Sequence, residues 1–471
     1  MLFNSHEFIF IFLPVVLIGY YLLCRREGVT VTSRLWLVAA SLFFYGWFKA
    51  IYLVLIAFSV LFNFTVGRRM GLEENHRRRQ GLLLLGVLVN VGLLGFFKYY
   101  DFFVTNVNYV FGTEWVLKHM MLPLAISFFT FGQIAYLVDC YRREAPVRYS
   151  LLNYSLYVLF FPHLLAGPIV LHHEMMPQFD KPECAKPNWL NLSAGFHLFT
   201  VGLFKKLVLA DTFASWVPQG FDVMPELTFW QAWISVLAYT LQIYFDFSGY
   251  CDMAIGLARM FNIHFPANFN SPYRAPNIKD FWLRWHMTLG RFLSHYVYFP
   301  LGGNRKGKLR TYFNLMATFL VSGLWHGAGW TFVIWGGLHG TAMTVHRAWN
   351  DLGMKMHRWA GRILTLLFVV VAWVFFRATS MESAVKVLKG MFCSHDFAWN
   401  TVGKILPPEY GRSDILPWML AGFAIALLFK NAMEKSRTFQ PTTANGIATI
   451  VMFTVSVLHM SGFSKFIYYN F

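Results

Sequence analysis

Apolar stretches of 11 to 20 residues recur from one end of the chain to the other, the longest of them long enough to cross a hydrocarbon layer roughly 30 Å thick. They fall at 8–24, 35–48, 51–67, 81–97, 122–138, 151–170, 195–209, 230–247, 315–325, 331–345, 363–376, 416–428 and 446–460. A chain of 471 residues that is 56% hydrophobic and only 13% charged could not hide that surface in a water-soluble core. Ordinary globular proteins carry about a quarter charged residues. The mean hydropathy of +0.46 points the same way. Lipid is therefore the expected solvent for much of the chain.

The charge pattern agrees. The net charge of +17 resides in short clusters between the apolar runs: Arg25-Arg26, Arg68-Arg69, Arg77-Arg78-Arg79, Arg142-Arg143, and Arg305 through Arg310. Such clusters are the mark of cytoplasmic loops. A nucleic-acid-binding protein would instead gather its basic residues on one soluble face, and no soluble domain of useful size is visible. With the N-terminus outside, the clusters after the first and third runs both face the cytoplasm. No basic segment precedes the first run, and Arg25-Arg26 stand where a small-residue cleavage site would lie, so it is expected to stay as a helix. The five cysteines are scattered without metal-ligand spacing and are expected to be free thiols.

The segment 262–300 departs from this pattern. It holds Pro266, Pro272, Pro276 and Pro300 together with Asn268, Asn270, Asn277, Arg274, Arg284 and Arg291. Irregular polar backbone survives at membrane depth only where protein buries it or a wet cavity is lined. Re-entrant or interfacial helices feeding an internal chamber are the expectation here.

Two histidines stand in apolar, aromatic settings. His326 lies in Leu324-Trp325-His326-Gly327-Ala328-Gly329-Trp330, and His286 in Phe281-Trp282-Leu283-Arg284-Trp285-His286. Ionisable groups inside a membrane are costly and by default functional. An imidazole with an ordinary pKa near 6.5 can remove a hydroxyl proton at neutral pH. Gly323, Gly327 and Gly329 allow close approach of backbone or substrate, and Trp325 and Trp330 can wall out water. Trp282, Trp285 and His286 are spaced to share one helical face, with Arg284 and Arg291 directed to headgroups or a phosphorylated ligand. His339 reads as structural.

Two further strings leave alternatives open. Asp246 and Asp252, in the aromatic stretch 244–252, suit either the orientation of an imidazole or cation, or capping and packing. The C-terminal Phe466-Ile467-Tyr468-Tyr469-Asn470-Phe471 suits an interfacial aromatic belt. It equally suits a hydroxyl on Tyr468 that accepts an acyl group once a base activates it.

Taken together these strings resemble the membrane-bound O-acyltransferase family, in its bacterial branch of alginate, cellulose and peptidoglycan O-acetylation proteins and the teichoic-acid D-alanylation protein. The matching pieces are 1–14, Ser127-Phe128-Phe129-Thr130-Phe131, 161–168, 244–256, 268–273, 281–286, 300–305 and 323–330. The resemblance implies an all-α polytopic membrane protein. Its about 11–13 transmembrane helices would ring a thin core with a central funnel or tunnel, joined by re-entrant or interfacial helices. Residues 1–471 would form a single membrane-embedded domain, with N-terminal helices in 1–120, a catalytic core in 121–345, and C-terminal helices and tail in 346–471. His326 matches the family's catalytic histidine and His286 its second histidine near the tunnel. Phe466 to Phe471 resembles a motif whose tyrosine, here Tyr468, is proposed to carry the acyl group. Trp325, Trp282, Trp285, Asp246, Asn268, Asn270 and Arg284 are the expected tunnel-lining or substrate-contacting residues, and no metal is expected.

The function so implied is an O-acetyltransferase of the bacterial inner membrane. It would take acetyl from cytoplasmic acetyl-CoA and pass it outward for O-acetylation of an extracytoplasmic polysaccharide, with an exopolysaccharide such as cellulose or alginate preferred over peptidoglycan. No Gly-x-Ser-x-Gly elbow is present, so a periplasmic or membrane-anchored transferase is expected to complete the transfer, in company with a polysaccharide synthase or export complex. Arg274, Arg284 and Arg305 could attract the cofactor's phosphates, although positive-inside topology accounts better for Arg305. Two other classes compete: a proton-coupled transporter using buried His and Asp, and a haem or copper protein ligated by His286, His326 and His339. The first lacks a visible inverted repeat, and the second lacks paired histidines at bundle spacing.

Overall fold

The computed structural model describes residues 1–24, 28–146, 149–405, 415–460 and 466–467. Helices account for the regular structure, and no extended strand occurs among the described residues. Four helices are long and apolar enough to cross a membrane: Ile51–Leu72, His76–Phe111, Trp189–Val223 and Arg358–Arg377. Shorter apolar helices span Glu7–Leu23, Val31–Gly46, Ile415–Leu428 and Thr443–Leu458. An all-helical polytopic membrane protein is the architecture these elements give. The chain divides into two compact units, one of 1–203, 250–267 and 439–471, the other of 204–249 and 268–438.

In the first unit, local chemistry sets the helix starts. Thr30 accepts from the amide of Ser33 ahead of Val31–Gly46, and Asn75 accepts from Arg77 and Arg78 ahead of His76–Leu94. Such caps satisfy amides that have no partner within the helix. The apolar helices of this unit are stitched by polar pairs. Asn90 Nδ2 donates to Asn63 Oδ1 at 2.6 Å, Gln133 Nε2 donates to Ser59 Oγ at 2.8 Å, and Tyr154 donates to Gln133 Oε1 at 3.2 Å. Lipid tails are as apolar as leucine and give helices little hydrophobic reason to associate, so interhelical hydrogen bonds and close packing supply the contact.

The second unit is organised around a helical hairpin. Lys308–His326 and Trp330–Asp351 run antiparallel through the three-residue turn 327–329. A Cβ on Gly323 would lie 2.3 Å from the carbonyl oxygen of Phe332, and one on Gly336 would lie 2.5 Å from that of Phe319. The two glycines thus let the hairpin's backbones touch, as small residues do between membrane helices. Gly323 serves helix packing, not substrate approach. Arg358–Arg377 lies beside the hairpin, with Trp373 stacked 6.1 Å from Trp335.

From residue 268 to 298 this unit is broken into short turns: Pro272–Arg274, Ile278–Trp282, Met287–Leu293 and Ser294–Tyr298. The expectation that Trp282, Trp285 and His286 share one helical face fails here. The helix stops at Trp282, and His286 sits in the left-handed region at φ 45° as the residue before Met287–Leu293. Left-handed backbone reverses the direction of the chain, so three-four spacing no longer places side chains together.

Candidate active site

His326 is the last residue of the Lys308–His326 helix and is only 2% exposed. Its ring is enclosed by Trp325 at 4.8 Å, Trp335 at 5.1 Å and Phe376 at 5.0 Å between centroids. The wall is therefore Trp325 with Trp335. Trp330, which the sequence suggested, opens the next helix and is 55% exposed.

His286 is held by a compact polar frame. Its Nδ1 donates to Asn268 Oδ1 at 3.1 Å, and the same oxygen accepts from the amide and hydroxyl of Thr288 at 3.1 and 2.8 Å. The amide of Met287 donates to the carbonyl of Asn268 at 3.0 Å, fixing the two segments side by side. With the Nδ1 proton directed at an amide oxygen, the lone pair of a neutral ring lies on Nε2. Phe247 packs edge-on to this imidazole at 4.8 Å and Trp325 lies 6.0 Å from it. The structure therefore gathers His326, Trp325, His286 and Asn268 into one cluster.

The remaining predicted residues divide. Trp285 packs on Phe269 and Trp373, at 5.0 and 4.9 Å. Trp282 packs on Trp335 at 5.7 Å and donates from Nε1 to His339 Nδ1 at 3.3 Å. His339 is fully buried beside Trp335, with ring centroids 4.8 Å apart. Arg284 pairs with Asp280 at 2.7 Å and donates to the carbonyl of Asn270, whose side chain accepts from Asn431 at 3.0 Å. These two residues bind the broken segment together. Asp246 forms a buried ion pair with Lys206 at 2.7 Å, and Lys206 also reaches Asp211 at 2.8 Å. The orientation of an imidazole is not the role this pairing gives Asp246. Tyr468 lies outside the described residues; Phe466, two positions earlier, packs edge-on to Tyr250 at 4.4 Å.

Two features escaped the sequence. Lys206 interrupts the apolar run 195–209, yet it is 2% exposed; the carboxylate five residues on was the only hint. In the first unit, His172 bonds Asp139 at 2.9 Å, and these two with His173 bring potential ligand atoms within 4.8 Å of one another. That grouping joins residues more than thirty positions apart, which no spacing motif announces.

The comparisons with known proteins agree with this picture. The profile described as the membrane-bound O-acyltransferase family matches residues 141–385. A peptidoglycan O-acetyltransferase of Helicobacter pylori is 49% identical over 419 residues, covering 83% of this chain and 80% of that one. A probable alginate O-acetylase of Pseudomonas putida is 36% identical over the full length of both chains. A teichoic acid D-alanyltransferase of Bacillus subtilis is 26% identical, covering 54% of this chain and 66% of that one. The chain belongs to the membrane-bound O-acyltransferase family and is an acyltransferase of the O-acetyltransferase type.

Proposed function

We propose that the protein takes an acetyl group from acetyl-CoA at the cytoplasmic face of the bacterial inner membrane and passes it outward for O-acetylation of an extracytoplasmic glycan. His326 acts as general base. Its Nε2 accepts the proton of an attacking hydroxyl as the new C–O bond forms at the thioester carbonyl. The C–S bond then breaks, and the leaving thiolate takes the proton from the imidazolium. The hydroxyl belongs to Tyr468, as a temporary carrier, or to an acceptor that reaches the site directly. His286, oriented by Asn268, assists the approach of the substrate, and Trp325, Trp285 and Trp282 line its path. No metal is invoked.

The ring of about 11–13 helices around a tunnel is part of the same proposal, as is a single catalytic domain with its core in 121–345. So is a periplasmic or membrane-anchored partner transferase, working beside a polysaccharide synthase or export complex. A charged, bulky cofactor then never crosses lipid, while a small neutral acetyl group does. One observation carries the proposal: a histidine at the end of a helix, enclosed by aromatic rings, shares its indole neighbour with a second histidine whose ring is held in one tautomer.

The acceptor polymer has two readings. The 49% identity to a peptidoglycan O-acetyltransferase makes peptidoglycan the first polymer to test. The full-length match to alginate O-acetylases keeps an exopolysaccharide such as alginate or cellulose second. Deleting the gene and measuring ester-linked acetate separately on purified peptidoglycan and on secreted polysaccharide distinguishes them. Loss from one fraction names the polymer. Unchanged acetate in both fractions removes the proposal.

A further inference from the structure

The second unit contains a cavity of about 800 Å3, within the range that accommodates small-molecule ligands. Arg274, Arg284, Arg358 and Arg362 line it, against the single carboxylate of Asp280. Arg284 uses Asp280 as its ion-pair partner at 2.7 Å. Arg274 donates to the carbonyls of Leu427 and Leu428 at 2.8 and 3.1 Å, which fixes its guanidinium. Arg358 and Arg362 lie one turn apart at the start of the 20-residue Arg358–Arg377 helix, where the helix amides add partial positive charge. Among the described residues, neither has a carboxylate within ion-pair distance. The guanidinium of Arg362 lies 4.7 Å over the ring of Trp359, which is 62% exposed. Ile363, 61% exposed, continues the apolar side.

The end of the unit that bears this cavity follows from the hairpin. Lys308–His326 starts at the Arg305 to Arg310 cluster, and Trp330–Asp351 returns to the same end, where the Tyr312 hydroxyl meets Asp351 at 3.3 Å. Arg358 follows seven residues later. The basic cluster and the cavity-lining arginines are therefore at one end, and His326 is at the other end of its helix. By the charge rule for loops the arginine end is cytoplasmic.

We propose that this cavity binds a phosphate ester presented at the cytoplasmic surface, with the phosphate held by Arg358 and Arg362 and an apolar or aromatic moiety laid against Trp359 and Ile363. Guanidinium groups in pairs match phosphate oxygens in geometry as well as charge. A basic recess beside apolar helix surface recognises two sources of this chemistry: the headgroup of an anionic phospholipid, and the 3′-phosphoadenosine diphosphate of a coenzyme A thioester. The second source rests on the donor proposed above; the first does not.

The test uses the full-length protein purified in detergent or in nanodiscs. Binding of coenzyme A and 3′,5′-ADP is measured by calorimetry, and retention of phosphatidylglycerol against phosphatidylcholine by native mass spectrometry. Wild type is compared with the Arg358→Gln/Arg362→Gln double variant, with Arg362→Lys, and with His326→Ala. Arg358 is exposed and Arg362 half-buried, and an unchanged melting temperature confirms the fold. At least one phosphate probe is expected to bind wild type and to weaken by roughly tenfold or more in the double variant. Arg362→Lys should restore part of the binding, and His326→Ala should bind as wild type. Weakened coenzyme A binding with a raised KM for acetyl-CoA and an unchanged kcat assigns the donor. Selective loss of phosphatidylglycerol assigns the lipid. Equal behaviour of wild type and double variant toward every probe overturns the proposal, even where His326→Ala is inactive.

Discussion

His286 and His326 share one indole: the ring of Trp325 lies 6.0 Å from the first imidazole and 4.8 Å from the second. The two histidines come from different kinds of backbone, a left-handed turn and a helix end, and only tertiary structure brings them to one residue. A proton acceptor gains from such company in two ways. Aromatic walls exclude water, which would otherwise hydrolyse an activated acyl group, and they hold the ring orientation fixed.

If His326 takes the hydroxyl proton, His326→Ala and His326→Gln both lose it while leaving the membrane helices intact. General base catalysis contributes about 10²–10⁴-fold, so acetyl transfer in membrane vesicles supplied with labelled acetyl-CoA should fall by at least that range. Protein levels in the membrane should match wild type. Full acetylation by either variant removes His326 from the chemistry.

Asn268 tests the role of the second histidine. Its side-chain oxygen accepts from His286 and twice from Thr288. Asn268→Ala leaves those donors without this acceptor at a cost of about 1–3 kcal/mol, visible as a lower melting temperature in detergent. Asn268→Asp keeps an oxygen in place and should preserve the fold, while its charge holds a proton on His286. Slower transfer at unchanged melting temperature is expected for Asn268→Asp. Equal activity in wild type and Asn268→Asp argues against any need for a neutral ring.

Lys206 is placed between Asp246 and Asp211, buried with the first of them. Removing one member of a buried ion pair costs about 3–5 kcal/mol because the other charge stays buried, whereas replacing both is far milder. Lys206→Met should therefore unfold at a markedly lower temperature than wild type, and Lys206→Met/Asp246→Leu should recover much of the loss. A double variant as unstable as the single one, followed by its thermal melt in detergent, would assign the stability to Asp211 instead.

How much of this was legible in the residues follows from what each signal measures. The apolar runs report solvent, and they mark the membrane-length helices Ile51–Leu72 and Arg358–Arg377. Trp325-His326-Gly327 was readable because an imidazole inside a membrane is costly wherever it points. Periodicity failed at His286, since helical spacing carries no warning that the backbone turns left-handed. Trp335 went unnoticed for a similar reason: its approach to His326 depends on the hairpin closing through Gly323 and Gly336. Lys206 was missed because nothing local marks a lysine within an apolar run as buried until its carboxylate partner, forty residues on, folds against it.

The tail offers the last prediction. Phe466 packs edge-on against Tyr250, so part of the terminal aromatic string is an anchor. Tyr468→Phe retains the ring and removes only the hydroxyl. If that oxygen carries the acetyl group, the variant should insert normally, still bind acetyl-CoA, and lose transfer to the glycan. Wild-type protein quenched during turnover with labelled acetyl-CoA should yield a C-terminal peptide bearing an acetyl ester, absent from Tyr468→Phe and from His326→Ala. Undiminished glycan acetylation in Tyr468→Phe would leave the string as an interfacial belt, with the hydroxyl nucleophile supplied by the acceptor itself.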